Sequence, residues 1–285
     1  MMNAMVGSIA APILVADLGG FGLWAGIGFT LGFLLVAVLL FYLGFPLLIL
    51  SIFKMNKNPK ITDFDVNAVP APLTESLDYF EEEQGNIEKL GFEFVTNFFI
   101  RNLVPTAKML GQLWYHPASR TAFTITHTYV VNQGNSTMSS QSFEFSTLFN
   151  DGTLVDTSNT KDFGSFPHPP FKVRHVLFWE RDMEKVFRFH LAICRDVRNA
   201  IPVDALDEKF EGDGLEFLGA SLKEENFYNV EQGFLRDSAG DYYKMSIGGA
   251  YLMGWKSLPP LKNIIKNRMR TRVLRKIEEL NISGM

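Results

Sequence analysis

From Leu18 to Phe53 the chain carries no charged side chain and its apolar positions follow no period, whereas beyond Thr74 apolar and polar residues recur with periods near 3.6 or 2. As one helix the uncharged run would be about 54 Å long, against a hydrocarbon core of about 30 Å. Two spans would need about 17 residues each and a turn. A break at Gly44-Phe45-Pro46 leaves only Leu47 to Phe53 behind it, too few to return. The pattern therefore predicts one span with its core between Trp24 and Tyr42, two aromatics of the kind that favour the headgroup level. Leu43 to Phe53 is expected to leave the core at a proline kink and lie along the interface. Ala4 to Ala16 is too short to span and reads as a surface segment, a re-entrant segment or a frayed end. Residues 1 to 17 contain no Lys or Arg, so the basic start of a signal peptide is missing and the run reads as a retained anchor.

The later periodicities predict an α+β domain built on an antiparallel sheet with flanking helices. Thr74 stands before a helix with Leu77, Phe80, Ile87 and Leu90 on one face, ending at Gly91. Phe92, Phe94, Phe98 and Ile100 fall on one face of a strand pattern, as do Phe123, Ile125, Tyr129 and Val131 of the next. Residues 142 to 159 read as a hairpin turning at Asn150-Asp151-Gly152. A Pro-rich loop (165 to 171) leads to a short strand and a helix near Asp182 to Val197. A short helix near 215 to 224 precedes a weak hairpin at Ser238-Ala239-Gly240. Strands follow strands with no alternating crossovers, which disfavours a doubly wound sheet.

Charge divides the chain in three. Residues 1 to 60 carry a net +2, residues 61 to 254 a net −12 (16 Lys and Arg against 28 Asp and Glu), and residues 255 to 285 a net +6. The segments expected are an anchor (1–60), an acidic body (61–250) after a Pro70-Ala71-Pro72 linker, and a basic arm (251–285). Lys54, Lys57 and Lys60 follow the apolar run and no base precedes it, which places the N-terminus outside and the body in the cytoplasm of an inner (plasma) membrane protein. In the arm, Tyr251, Leu252, Met253 and Trp255 precede Pro259-Pro260, after which Ile264, Ile265, Val273, Leu274, Ile277 and Leu280 share a predicted helix with Lys262, Lys266, Arg268, Arg270, Arg272, Arg275 and Lys276. With Trp255 and Lys256 these bases form a surface for anionic lipid. Docking onto the acidic body is the competing use, and the body's charge opposes nucleic acid. Gly22 and Gly26, with Gly28 and Gly32, offer small-residue faces for self-association of the span.

Chemistry is sparse. Walker, serine-hydrolase, zincin and Cys-x-x-Cys patterns are missing, and no cofactor motif is found. Asp63 and Asp65 read as a solvated spacer. His190 and Cys194, four apart on a predicted helix, could donate two metal ligands, with His168 and His175 upstream, but packing is the stronger reading, with Cys194 a small buried residue beside Leu191. His127 reads as a hydrogen-bonded core residue. The lone Cys194 forms no internal disulfide, in keeping with a reducing compartment. Among 26 phenylalanines, Phe92, Phe94, Phe98, Phe143, Phe145 and Phe149 could line an acyl pocket or fill a core. The general plan resembles that of bacterial single-pass proteins with a cytoplasmic α+β domain. The function expected is binding or scaffolding at the membrane surface, with anionic lipid, a protein partner of the acidic body or a second copy as partner. Binding of lipid or an apolar small molecule on the aromatic sheet face is the alternative, and an enzyme the third.

Overall fold

A computed structural model describes residues 11–66, 73–101, 103–132, 135–161, 164, 166–197, 200–282 and 284, with side chains in the first helix from Gly26 onward. The chain runs α1 (Ala11–Ile52), β1 (Lys54–Asn56), β2 (Ile61–Thr62), α2 (Glu75–Lys89), β3 (Glu93–Ile100), β4 (Ala107–His116), β5 (Thr121–Asn132), β6 (Asn135–Leu148), β7 (Leu154–Ser158), β8 (Lys172–Val176), α3 (Met183–Asp196), α4 (Ala205–Phe210), α5 (Gly214–Glu231), β9 (Leu235–Arg236), β10 (Tyr242–Met245), α6 (Ile247–Ser257) and α7 (Leu261–Glu279). The fold is α+β. Residues 4 to 10 and the Pro70-Ala71-Pro72 linker lie outside the described residues, whereas Ala11 to Ala16 belong to α1.

The seven-stranded sheet has the order β2-β3-β4-β5-β6-β7-β8, a meander closed by one parallel pair, β7 with β8. The sheet is therefore mixed, where an all-antiparallel one was expected. The Pro-rich segment between Ser158 and Lys172 carries the chain back to the start of β7, and this return makes the last pair parallel. Asn150-Asp151-Gly152 turns β6 into β7 with Gly152 at φ +85°. Asp182 caps α3 through its side chain, which accepts from the Lys185 amide.

One face of the sheet is covered by α2 and α3. Phe92 and Phe145 meet Phe187 there at ring-centroid distances of 4.9 and 5.1 Å, Phe123 packs on Phe92 and Phe145 at 5.3 and 4.6 Å and on Phe143 at 6.0 Å, and Phe80, Ile87, Tyr129 and Phe189 lie around them. A bulge between Phe94 and Thr96 inverts the alternation of β3. Phe98 and Ile100 consequently point to the opposite face, in a smaller cluster with Leu113, Leu206 and Leu222, and do not share the face of Phe92 as the spacing implied. A third cluster lies apart. The foot of α1 (Phe45, Ile49, Leu50, Phe53) packs with Leu235, Met245, Ala250 and Phe166, over a three-stranded sheet of order β1-β10-β9.

α1 does not break at Pro46, and residues 43 to 52 stay helical and pack into this cluster instead of running separately along an interface.

Candidate functional site

Two regions carry features that packing alone does not explain. The first is the corner where α1 meets α6. Proline at 46 removes the amide that would have bonded the Tyr42 carbonyl one turn earlier. The Trp255 indole donates to that carbonyl at 3.2 Å, and the Tyr251 hydroxyl donates to the Leu43 carbonyl at 3.4 Å. Two side chains of α6 thus take up carbonyls at the proline, which is why the helix continues through it. Gly254 lies between them, and a Cβ there would come within 2.9 Å of Pro46 Cγ. Above the corner, Ile27 to Leu43 are apolar and open, with Phe29 79% exposed. Gly26, Gly28 and Gly32 lie in this stretch with nothing within 4 Å of a Cβ built on them. Gly22 is helical, and its surroundings lie outside the described residues.

The second region is the face of the large sheet opposite α2 and α3. Read across the strands, its side chains change from Phe98, Ile100 and Met109 to Thr124, Thr126, Ser142 and Ser146, and then to Glu144, Asp156, Lys172 and Arg174. α5 lies over the apolar edge, where Gly214 sits against Leu113, Val95 and Thr96, and Phe217, Leu218 and Leu222 join the small cluster. Hydroxyl and charged strands offer such a helix no apolar contact, and a cleft of about 360 Å³ remains between sheet, α4 and α5. At its polar end Lys172 Nζ lies 2.7 Å from Asp156 Oδ2 and 3.6 Å from Glu225, and Arg174 lies 3.7 Å from Glu144. Ser146 Oγ donates to Asp156 Oδ1 at 2.7 Å. Burial, then the neighbouring Asp156 charge, raises the Glu144 carboxyl above its ordinary range. Burial lowers the Lys172 ammonium, but the surrounding carboxylates outweigh it and leave the lysine firmly charged. Ser158, 1% exposed, lines this end with an Oγ that has no partner among the described residues. Arg174 Nη1 donates to His168 Nε2 at 3.2 Å, and burial with the Arg174 charge holds His168 down at about 4, neutral at pH 7.

Of the basic residues, Lys54 and Lys60 are exposed, while Lys57 is engaged by the Asp237 carboxylate and donates to the Ser238 carbonyl at 2.6 Å. Lys256 is half-buried, and burial lowers its pKa. Lys262, Arg268, Arg272 and Arg275 are exposed; Lys266 sits over the Phe178 ring and Arg270 over the Trp179 ring. α7 divides in function. Val273, Ile277 and Leu280 join the main core and Lys276 pairs with Asp196 at 2.7 Å, so the C-terminal half docks onto the body and those apolar residues are not available to a bilayer. Ile264 and Leu274 remain exposed.

The histidines resolve into packing partners. His190, fully buried, has Nε2 2.9 Å from Thr147 Oγ1 and Nδ1 3.0 Å from Thr157 Oγ1. Burial pushes it to about 3 and pushes the Cys194 thiol, 3.5 Å from His190, up to about 11. The two share a helix face as their spacing requires. His175 faces Phe189 on the core side of β8 and His168 lies on the cleft side, so the four residues are not gathered. Among the described residues no group of three or more His, Cys, Asp and Glu is placed to hold a metal. His127 Nδ1 lies 2.8 Å from Ser76 Oγ, which is 2.6 Å from the Tyr129 hydroxyl. The Ser–His distance suits a nucleophile and base, but both residues are sealed beneath Tyr79 and Phe80, and the trio ties the start of α2 to the sheet.

The alternating hydroxyls of β5 (Thr124, Thr126, Thr128), opposite Phe123, Ile125, His127 and Tyr129, mark the second face and were the available signal for the cleft. Compared with known protein families, curated proteins and solved structures, the chain shows no significant match to any of them.

Proposed function

We propose that the chain is a single-pass inner-membrane protein, N-terminus outside, that holds an α+β ligand-binding domain at the cytoplasmic surface. The observation that carries the anchoring is the open apolar stretch of α1. Leaving the large side chains from Ile27 to Leu43 in water forgoes on the order of 20 kcal/mol, more than a domain's whole stability, so lipid or a partner of equal apolarity must cover them. Gly26 to Ile52 is long and apolar enough to cross a bilayer, and little of it is buried by the domain. The orientation rests on Lys54 and Lys60 after the span and on the exposed bases of α7, each worth about 1 kcal/mol near an anionic leaflet. Self-association through Gly26, Gly28 and Gly32 is compatible with their open surroundings. The binding role is supported by the cleft, which combines an apolar edge with converging polar groups. An acyl ligand on the aromatic face would have to displace α2 and α3, which makes the opposite face the better binding surface.

Washing native membranes with alkaline carbonate tests the anchor. The full chain is expected to remain in the pellet, and release into the supernatant would overturn the anchoring.

A further inference from the structure

The cleft's two ends differ in chemistry, and the difference limits what it can hold. One end is lined by Phe98, Ile100, Met109, Phe217, Leu218 and Leu222, with α5 as its roof. The floor beyond carries Thr124, Thr126, Ser142 and Ser146, and the far end holds Glu144, Asp156 and Glu225 against Lys172 and Arg174, with Glu224 also on the lining. An anionic head would meet carboxylates that already engage Lys172 and Arg174, and a cationic head would compete with those two cations for the same carboxylates. A hydroxyl, which donates once and accepts twice, matches both kinds of neighbour. The Ser158 hydroxyl is buried at this end without a partner among the described residues, and a buried hydroxyl calls for a hydrogen bond.

We infer that the cleft binds a single-chain, uncharged amphiphile, its hydroxyl-bearing head among Ser158, Asp156, Lys172 and Arg174 and its apolar chain along Phe98, Ile100 and Leu218. This rests on the reading of the cleft as the binding surface and not on which way α1 crosses. A volume of about 360 Å³ lies within the range of small-molecule sites, about 300 to 1,000 Å³. Arg120 and Lys209, towards the other end, do not reach the charged set: Arg120 Nη1 donates to the Pro202 carbonyl at 2.6 Å, and Lys209 is exposed.

Equilibrium dialysis of the full chain in lipid nanodiscs tests the inference, with protein-free discs as blank and three decyl probes below their micelle concentrations: decyl glucoside, decanoate and decyltrimethylammonium. The expected result is one saturable site per chain for the glucoside, with the two charged probes weaker by about tenfold or more, the equivalent of one good hydrogen bond left unmade. Thr124→Trp, which fills the cleft from its floor, should abolish the site. Ser158→Ala should weaken it by about three- to tenfold through one lost hydrogen bond. The Ser158 variant also keeps the test decisive if the tryptophan disturbs folding, which a melting curve reports. No binding above the blank, equal binding of all three probes, or a site indifferent to both substitutions would overturn the inference. A wrong anchoring assignment would show differently, as a chain that fails to enter the discs at all.

Discussion

The two faces of the seven-stranded sheet are made by the same strands and behave as different materials. On one, Phe123, Phe143 and Phe145 alternate outward from β5 and β6 and are closed off by Phe187 of α3. On the other, the intervening positions are Thr124, Thr126, Ser142, Glu144 and Ser146, and α5 packs its apolar residues on the apolar edge while its Glu225 reaches Lys172 at the charged end. A period of two lets one strand specify both outcomes at once, with the apolar face recruiting cover and the hydroxyl face declining it. The cleft left between α5 and the sheet is where the charged groups converge, and this separates a surface used for folding from one available for binding.

The largest contrast is in truncation. Phe145→Ala, at a fully buried ring, should cost about 3 to 5 kcal/mol, whereas Ser142→Ala across the same strand should stay within about 0.5 kcal/mol. Chemical denaturation of the two variants compares them directly, and equal losses would mean that both faces are packed. Next in size is the ion cluster. Asp156→Ala leaves Lys172, only 15% exposed, with the more distant Glu225 and Glu144, and should cost about 3 kcal/mol. The double change Asp156→Leu with Lys172→Met should recover most of it, since removing both charges leaves none unpaired. A double variant as unstable as the single would assign the loss to geometry instead of charge.

Acid should act mainly through the core face. His127 and His190 are held down by burial, at about 4 and about 3, and stay neutral in the folded state while the unfolded chain takes up protons near pH 6.5. The unfolded state then binds more protons, so each histidine makes stability fall as pH drops from about 6.5 towards its folded value, with a slope approaching 1.4 kcal/mol per pH unit. Glu144 has the opposite sign, because its raised carboxyl favours the folded state when protonated. His190→Gln should remove one histidine's share of the slope in denaturant titrations between pH 6.5 and 4, and an unchanged slope would contradict neutral burial of His190.

At the corner the effect is smaller. Trp255→Phe keeps the ring and removes the indole donor to the Tyr42 carbonyl, and should cost about 1 kcal/mol. Pro46→Ala restores the missing helical amide, so in that background the same change should cost less. A double-mutant cycle on thermal unfolding reads this coupling, and additive effects would separate Trp255 from the proline.

Much of the fold was legible where a local rule decides. Asp182 before Met183-Glu184-Lys185 is a helix start, and Asn150-Asp151-Gly152 is a turn that tolerates positive φ. β4 escaped notice because both of its faces are buried, so Ala107 to His116 shows no clean alternation around Gly111. The bulge at Phe94–Thr96 was invisible because an inserted residue leaves the period unchanged on either side while inverting its meaning. The break expected at Pro46 followed from local helix chemistry, and what cancels it is a tryptophan more than two hundred residues away. The cleft lay half in view as the alternating threonines of β5. Its charged end required knowing that β8 returns parallel to β7 and sets Lys172 and Arg174 beside Asp156 and Glu144, which no local pattern contains.

The proposed function places the domain, with its cleft and its corner, on the cytoplasmic side. Protease added to intact spheroplasts, followed by blotting for a C-terminal tag, measures this most directly. Residues 54 to 285 should survive until the membrane is lysed and then be digested; loss of the domain before lysis would place it outside and contradict the orientation drawn from Lys54, Lys60 and the bases of α7.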